Sequence, residues 1–312
     1  MFKKEGFKST NLDAEGDIFF ARQLEFIQSK VYEYQYPELR SYRLFPVNYN
    51  FPAGAEYITT TGYQSVGRAR VINSYADDLP SAALIGMQLS SKVQSIGASY
   101  RYSWQEIRNA QYANFALPTA LAEAARRAIE QKIDDLAFFG DSSVGLYGLF
   151  NNPNIPTQTV PADGTGGSTL WSTKTPDQIL RDMNLIVNQI VTSTNGVERP
   201  NTLLLPQEQY SLIASMARST NSDTTVLNYF LMNNPYVQEV IPVPKLAGAG
   251  TAGADIMIAY ERNDNKVEMA IPMPFTQYNP QERNLEFVIN CEARFGGIRV
   301  LYPMSMIIGE GI

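Results

Sequence analysis

LPTALAEAARRAIEQKIDDLAFFG, residues Leu117–Gly140, is the long, strongly patterned helical stretch around which this chain can be read. Apolar residues recur at Leu117, Leu121, Ala125, Ala128, Ile129, Ile133 and Leu136, the three-to-four spacing of one buried stripe. Charges take the opposite side. Glu123 precedes Arg127 in the favoured order for a helical ion pair, and Arg126 precedes Glu130 in the weaker order. Such pairs contribute about 0.2–0.5 kcal/mol each, so burial of the stripe must hold the helix. Pro118 suits a first turn, where no helical partner is lost. Gly140 supplies a stop after Phe138 and Phe139, because glycine accepts positive φ.

Working back from the helix, residues 1–54 read as an aromatic arm. A helix is expected near Asp17–Val31, then an extended run through Tyr36-Pro37 and Leu44-Phe45-Pro46 that proline keeps from becoming helix. With little periodicity of its own, this arm is expected to dock on another surface. Residues 55–104 read as a long β-hairpin. Strand-like runs at 55–61 and 67–73 are followed by the turn-prone Ser74-Tyr-Ala-Asp-Asp-Leu-Pro80 and an extended run from Gln88 to Trp104. A hairpin of that length is not stable alone and must lie on something, a neighbouring subunit being one candidate.

Forward of the helix, Gly140, Gly145 and Gly148 fix sharp turns. Residues 105–175 make one region with the helix 117–140. Residues 176–270 make a mixed helix–strand body, and 271–312 a β-rich return. Thr175-Pro176-Asp177-Gln178 is a capping box that opens a helix ending at Asn195-Gly196. A further helix near 224–232 is expected to be capped by Asp223. Lys245–Ala254 reads as a flexible loop. The fold class is α+β.

Composition removes most chemistry. The 312 residues include no histidine and one cysteine, Cys291, which excludes Ser-His-Asp and Cys-His catalysis, histidine-ligated or Cys-cluster zinc, and any intrachain disulfide. Cys291 lies in the apolar run Phe287–Cys291 and is expected to be a small buried hydrophobe. Asp77-Asp78 and Asp134-Asp135 are the visible carboxylate pairs. Neighbours on a helix point about 100° apart, so Asp134 and Asp135 are expected to be solvated rather than to share a site. No catalytic, cofactor-binding or metal-ligating residue is assigned. A net charge of −6 argues against tight nucleic-acid binding and leaves only weak contact through local Arg or Lys. The first seventeen residues lack the apolar centre of a secretory signal, and no window reaches about 18 consecutive apolar residues. A soluble, cytoplasmic product is expected.

The order of elements resembles the Hong Kong 97-type major capsid proteins of tailed double-stranded DNA bacteriophages and their relatives, the encapsulins. An aromatic arm and long hairpin match that family's N-arm and E-loop. The passage Phe138-Phe-Gly-Asp-Ser-Ser-Val-Gly-Leu-Tyr-Gly-Leu-Phe-Asn-Asn-Pro153 looks like its recurrent F-G-x(n)-G-x-x-G-L-x-N-x-P segment. The region 176–244 is similar to its axial domain, and Phe295-Gly-Gly-Ile-Arg-Val-Leu-Tyr-Pro-Met304 to its return. The resemblance implies a Hong Kong 97-like fold with N-terminal arm, E-loop, spine helix, peripheral domain and axial domain. It also implies a shell of hexamers and pentamers, formed in the host cytoplasm and found in the virion. Portal protein, scaffolding or decoration proteins and weakly held DNA are the implied partners, with no membrane. Expected contacts between subunits are Phe19 and Phe20 on the arm and Tyr75, Asp77, Asp78, Lys92 and Arg101 on the hairpin. Some shells of the family crosslink a hairpin lysine to a neighbour's asparagine, and Lys92 is the lone lysine of 55–104. A nanocompartment shell and a histidine-free soluble enzyme are the alternatives.

Overall fold

The computed structural model describes residues 38–71, 80–113, 116–219 and 223–312. The helix expected at Asp17–Val31 and the residues Phe19, Phe20, Tyr75, Asp77 and Asp78 lie outside the described residues. Leu39–Ile312 is one structural unit.

That unit begins with α1 (Ser41–Leu44), a single helical turn, and β1 (Val47–Asn48). The expectation of an extended segment docked elsewhere is corrected here. Leu44 and Phe45 are fully buried in the chain's own core, with the Phe45 ring 6.3 Å from Phe138 and 5.8 Å from Tyr260. Proline before and after this stretch prevents a long helix but permits one turn between.

Next come β2 (Tyr57–Val66), β3 (Ala83–Lys92) and β4 (Gln94–Ser103). The strand expected at 55–61 is longer and runs on to Val66, whereas residues 67–71 of the strand expected at 67–73 are not strand. The returning strand starts at Ala83, earlier than Gln88, and is divided at Val93: β3 pairs β2, whereas β4 pairs β12. Ser103 then caps α2 (Trp104–Tyr112), its hydroxyl accepting from the Glu106 N–H while the Glu106 carboxylate accepts from the Ser103 N–H.

Helix α3 (Leu117–Phe139) follows the predicted stripe closely. Ala125, Ile129, Ile133 and Leu136 are buried, Leu117 and Leu121 half-buried, and Ala128 exposed. Of the predicted ion pairs, Arg126–Glu130 forms at 2.8 Å, in the order expected to be weaker. Gly140 ends the helix at φ 63°, its N–H donating to Leu136 O at 2.9 Å. The chain then folds back under the helix end: Leu149 N–H donates to Ala137 O at 2.9 Å and Phe150 N–H to Phe138 O at 2.8 Å. Gly148 sits at the point of closest approach, where a Cβ would come 2.7 Å from Leu136 O. Asn151 Oδ1 accepts from the Gly148 N–H at 2.6 Å. The glycines and asparagine of this passage therefore serve a tight fold-back.

Beyond it lie β5 (Thr157–Thr159), α4 (Pro176–Ser193), β6 (Thr202–Leu205), α5 (Gln207–Ser215) and α6 (Val226–Asn233). The capping box on α4 forms as predicted: Thr175 Oγ1 accepts from the Gln178 N–H, and Gln178 Oε1 from the Thr175 N–H at 2.8 Å. Asn195 and Gly196 end that helix at φ 52° and 81°. Thr225, rather than Asp223, caps α6. The chain continues through β7 (Glu239–Pro242), β8 (Ile256–Tyr260), β9 (Val267–Ala270) and β10 (Met273–Gln277). It closes with β11 (Gln281–Arg283), β12 (Glu286–Phe295), β13 (Ile298–Val300) and β14 (Met306–Glu310).

A five-stranded sheet in the order β5-β14-β8-β6-β7 divides the core. Leu203, Leu205 and Met257 face α4 with Met183, Ile186 and Val187, while Leu204 and Ile258 face the α3 side. Burial on both faces explains why β6 is apolar at every position after Thr202. The return of 271–312 is not wholly peripheral, because β14 inserts between β5 and β8. On the other side, α3 packs on the face of β4 and β12 that presents Ile289, Cys291, Ala293 and Phe295, so Cys291 is buried as expected.

Two charge arrangements depart from expectation. Asp134 and Asp135 do share a partner. Lys245 Nζ bridges both, lying 2.7 Å from Asp135 Oδ1 and in contact with Asp134 Oδ2, while Asp134 Oδ1 accepts from the Ser41 N–H at 2.8 Å. A flexible lysine reaches across the angle between adjacent helical positions, and it ties α3 to the turn after β7. Residues 245–254 are accordingly built of short turns, with Gly248 N–H on Asp255 Oδ1 at 2.8 Å. Lys174 and Asp182, both with fully buried side chains, pair at 2.5 Å, and Trp171 Nε1–H donates to the same carboxylate at 3.3 Å. Breaking such a buried pair from one side costs about 3–5 kcal/mol.

An Ile133→Asp variant places a charge in the centre of the α3 stripe, where Ile133 is 2% exposed. The expected loss exceeds about 4 kcal/mol, and circular dichroism of the purified chain should show no cooperative unfolding transition. A second expectation concerns acid. Burial would raise the Glu261 carboxyl, but the Lys266 ammonium and the Arg199 N–H outweigh it and hold the group below its ordinary 4.5. A depressed folded value means the stabilisation is complete above pH 4.5 and fades as pH falls through the folded value. Below pH 4.5 the unfolding temperature should therefore drop more steeply for the natural chain than for Glu261→Gln.

Candidate interaction surface

The hairpin β2–β3 is a ten-rung antiparallel ladder running from Tyr57 opposite Lys92 to Val66 opposite Ala83. It forms a two-stranded sheet of its own. Directly opposed residues share a face and faces alternate along each strand, so the register sorts the hairpin into two sides. One carries Ile58, Leu89, Met87, Ile85 and Val66, with Thr60, Gln64 and Ser91; the other carries Tyr57, Thr59, Ser90, Thr61, Gln88, Tyr63 and Ser65, with Lys92 at the root and Leu84 opposite Ser65. Gly86 opposite Tyr63 leaves room for the ring, whose edge would lie 3.9 Å from a Cβ there.

The apolar side starts in the core and leaves it. Ile58 is buried with Val93 and Ala270, against which Phe51 packs. Beyond that root the same side is open: Met87 is 60% and Ile85 51% exposed. Within the twenty strand residues Lys92 is the only charge. Arg68, Arg70 and Val71 continue past the end of β2 and are exposed. A two-stranded ribbon in water is marginal, and an uncharged ribbon with open edges and an apolar side is a surface for another chain.

Polar groups hold the root. Arg299 on β13 is 3% exposed; its Nη1 pairs with Glu268 Oε1 on β9 at 2.5 Å, and its Nη2 donates to Thr60 Oγ1 on β2. Glu268 Oε2 accepts from Asn48 Nδ2 at 2.7 Å. Burial pushes the Arg299 guanidinium down from its ordinary value, opposed by the Glu268 charge. Gly296 lies beneath, where a Cβ would stand 3.1 Å from Ile58 Cδ1 and from Ala270 Cβ.

Of the expected contact residues, the structure describes two and does not bring them together. Lys92 is half-buried at the root opposite Tyr57, far from the free end of the hairpin. Arg101 lies on β4, exposed and opposite Val288 in the β12 ladder. The residues that make the apolar side, Val66, Ile85 and Met87, were not among those expected. Their signal is the alternation Ile85, Met87, Leu89, which becomes legible once the strand is begun at Ala83.

Residues 67–312 match the family model described as Major capsid protein. The chain belongs to the major capsid protein family. Its fold is that of solved shells: it is similar to the capsid of Myoviridae phage XM1 at 20% identity, covering 96% of this chain and 100% of that one, with a TM-score of 0.81. The capsid of a native GTA particle is similar at 12% identity over 96% and 97% of the two chains, TM-score 0.67. A virus-like particle from Pyrococcus furiosus is similar at 10% identity over 86% and 91%, TM-score 0.56. No curated protein matches by sequence. The Hong Kong 97-type fold is thereby shown, and the protein is a major capsid protein, a structural subunit of a shell. No described helix is long and apolar enough to cross a membrane.

Replacing both Ile85 and Met87 of the capsid protein with Ser should leave the unfolding free energy of the dispersed subunit within about 0.5 kcal/mol, because both side chains are more than half exposed and belong to no buried cluster of the described residues. Fluorescence of an apolar dye bound to the dispersed subunit should fall in the same variant.

Proposed function

We propose that the capsid protein assembles as hexamers and pentamers in the host cytoplasm, each subunit laying its β2–β3 hairpin, apolar side down, on a neighbour. The observation that carries this reading is the exposed side of Ile85, Met87 and Val66 running out from the buried Ile58. Covering it removes apolar area from water at about 25 cal/mol per Å². It also supplies a support that a lone ribbon lacks. In a closed symmetric array each such contact need only be modest, since every subunit is held by several at once. Phe19 and Phe20 of the arm, and Tyr75, Asp77 and Asp78 between the hairpin strands, are proposed to add contacts to the same neighbours. Arg101 on the exposed side of β4 is proposed to do so separately. Portal protein and scaffolding or decoration proteins complete the particle. The net charge of −6 keeps the shell from adhering to the DNA it encloses, so that contact with the polymer stays weak.

The test is a shortened hairpin. Joining Thr60 to Leu89, opposed in the ladder, through an Asn-Gly turn removes Val66, Ile85 and Met87 and keeps the root. The variant should fold with a cooperative transition like that of the natural chain. Under conditions in which the natural chain forms closed shells, electron microscopy should find only dispersed subunits or capsomers. Normal shells from the shortened chain would remove the hairpin from the assembly mechanism.

A further inference from the structure

The hairpin has two strands and one point of attachment, so its direction is decided at the root. Three groups from separate elements meet there: Arg299 from β13, Glu268 from β9 and Thr60 from β2. Glu268 is fixed from its other oxygen by Asn48 of β1, at 2.7 Å, and the Arg299 guanidinium lies 5.6 Å from the Phe51 ring. β1, β9 and β13 form one three-stranded sheet, in which Arg299 stands opposite Glu268. The arginine thus belongs to the body, is held rigidly by it, and extends one donor to the hairpin. Its Nε has no acceptor among the described residues, so its hydrogen bonding is concentrated in the two terminal nitrogens. A buried ion pair is not an efficient way to stabilise a core, and well-packed apolar residues of the same volume do as well or better. What the pair adds is direction: a planar guanidinium has its donors in a fixed fork, and a carboxylate held at both oxygens fixes the fork in turn.

We propose that Arg299 is a positioning residue for assembly, setting through Thr60 the angle at which the hairpin leaves the body. The proposal rests on the reading of the hairpin as the element that reaches a neighbour. Leverage makes the angle matter. A ten-residue strand is about 33 Å long at ~3.3 Å per residue, so a rotation of about 10° at the root displaces the far end by about 6 Å. That exceeds the 4.0–4.5 Å range, roughly, within which apolar side chains touch. The hydrophobic contacts of Ile58, Val93 and Phe51 hold the root in place but are non-directional; the hydrogen bond to Thr60 is directional.

Thr60→Val keeps the shape of the side chain and removes the acceptor, and Thr60→Ser restores it. On dispersed subunits, hydrogen exchange of the amides in β2 and β3 should quicken at least about tenfold in Thr60→Val, as for loss of one charge-assisted hydrogen bond, and return to the natural rate in Thr60→Ser. On assembled material, electron microscopy should show a diameter distribution at least about twice as broad for Thr60→Val, with Thr60→Ser again like the natural chain. Arg299→Lys, which keeps the charge and loses the fork, should behave as Thr60→Val in both measurements. Natural exchange rates in Thr60→Val would overturn the latch itself. Faster exchange with shells of natural, uniform diameter would overturn its role in positioning. These outcomes are separable from failure of the assembly reading, which is decided by the shortened hairpin, because the exchange measurement needs no neighbour.

Discussion

β3 and β4 are one run of chain bent at Val93, and most of the molecule's behaviour follows from that continuity. β4 is held by ten residues of β12 along one edge and by α3 across one face. β3, which ends one residue before Val93, has only β2 for a partner among the described strands. The buried half therefore fixes where the exposed half begins, and Val93, at 5% exposure, fastens the bend. α3 has a single apolar stripe and spends it on the β4–β12 face. Among the described residues the hairpin is left with no helix to cover it, which makes its apolar side a property of the fold rather than an accident of composition.

Local signals in the sequence were read well where the chemistry is local. The capping box of Thr175 and Gln178, the Asn195-Gly196 stop and the α3 stripe all depend on residues within a few positions of one another, and each formed as read. Apart from the cap of α6, which is Thr225 rather than Asp223, and the start of β3, what failed depended on distance. β14 reads as a short apolar run between Pro303 and Gly309, and nothing nearby says that it enters the sheet between β5 and β8. Asp134 and Asp135 diverge on the helix surface, but a lysine 110 positions away spans them. The hairpin was legible as a hairpin. Its apolar side was not, because beginning the second strand at Gln88 cuts off Ile85 and Met87 and hides the alternation.

The glycines of the fold-back after α3 show why a motif can be both recognisable and structural. Gly148 is required because the helix end comes down on it, and Asn151 because it holds the Gly148 N–H. These requirements concern only the chain's own path. They mark the fold through contacts within the chain, which is why this passage carried the family resemblance while none of its residues belongs to the candidate surface.

Charge is distributed to the same end. Ion pairs in this protein join elements of the body: Lys245 joins the turn after β7 to α3, Lys266 joins Glu198 to Glu261, and Arg299 joins β13 to β9. The hairpin strands keep one charge, at the root. A charged ribbon would resist aggregation better, but each charge would have to be desolvated or matched when the ribbon is covered. A ribbon with a single charge, at its root, and with most of its aliphatic side chains on the face opposite its tyrosines can be covered at little desolvation cost. The body, acidic overall, carries the burden of solubility until that happens. Separation of these tasks between body and hairpin lets a subunit remain dispersed on its own and still present a surface that a second copy can cover.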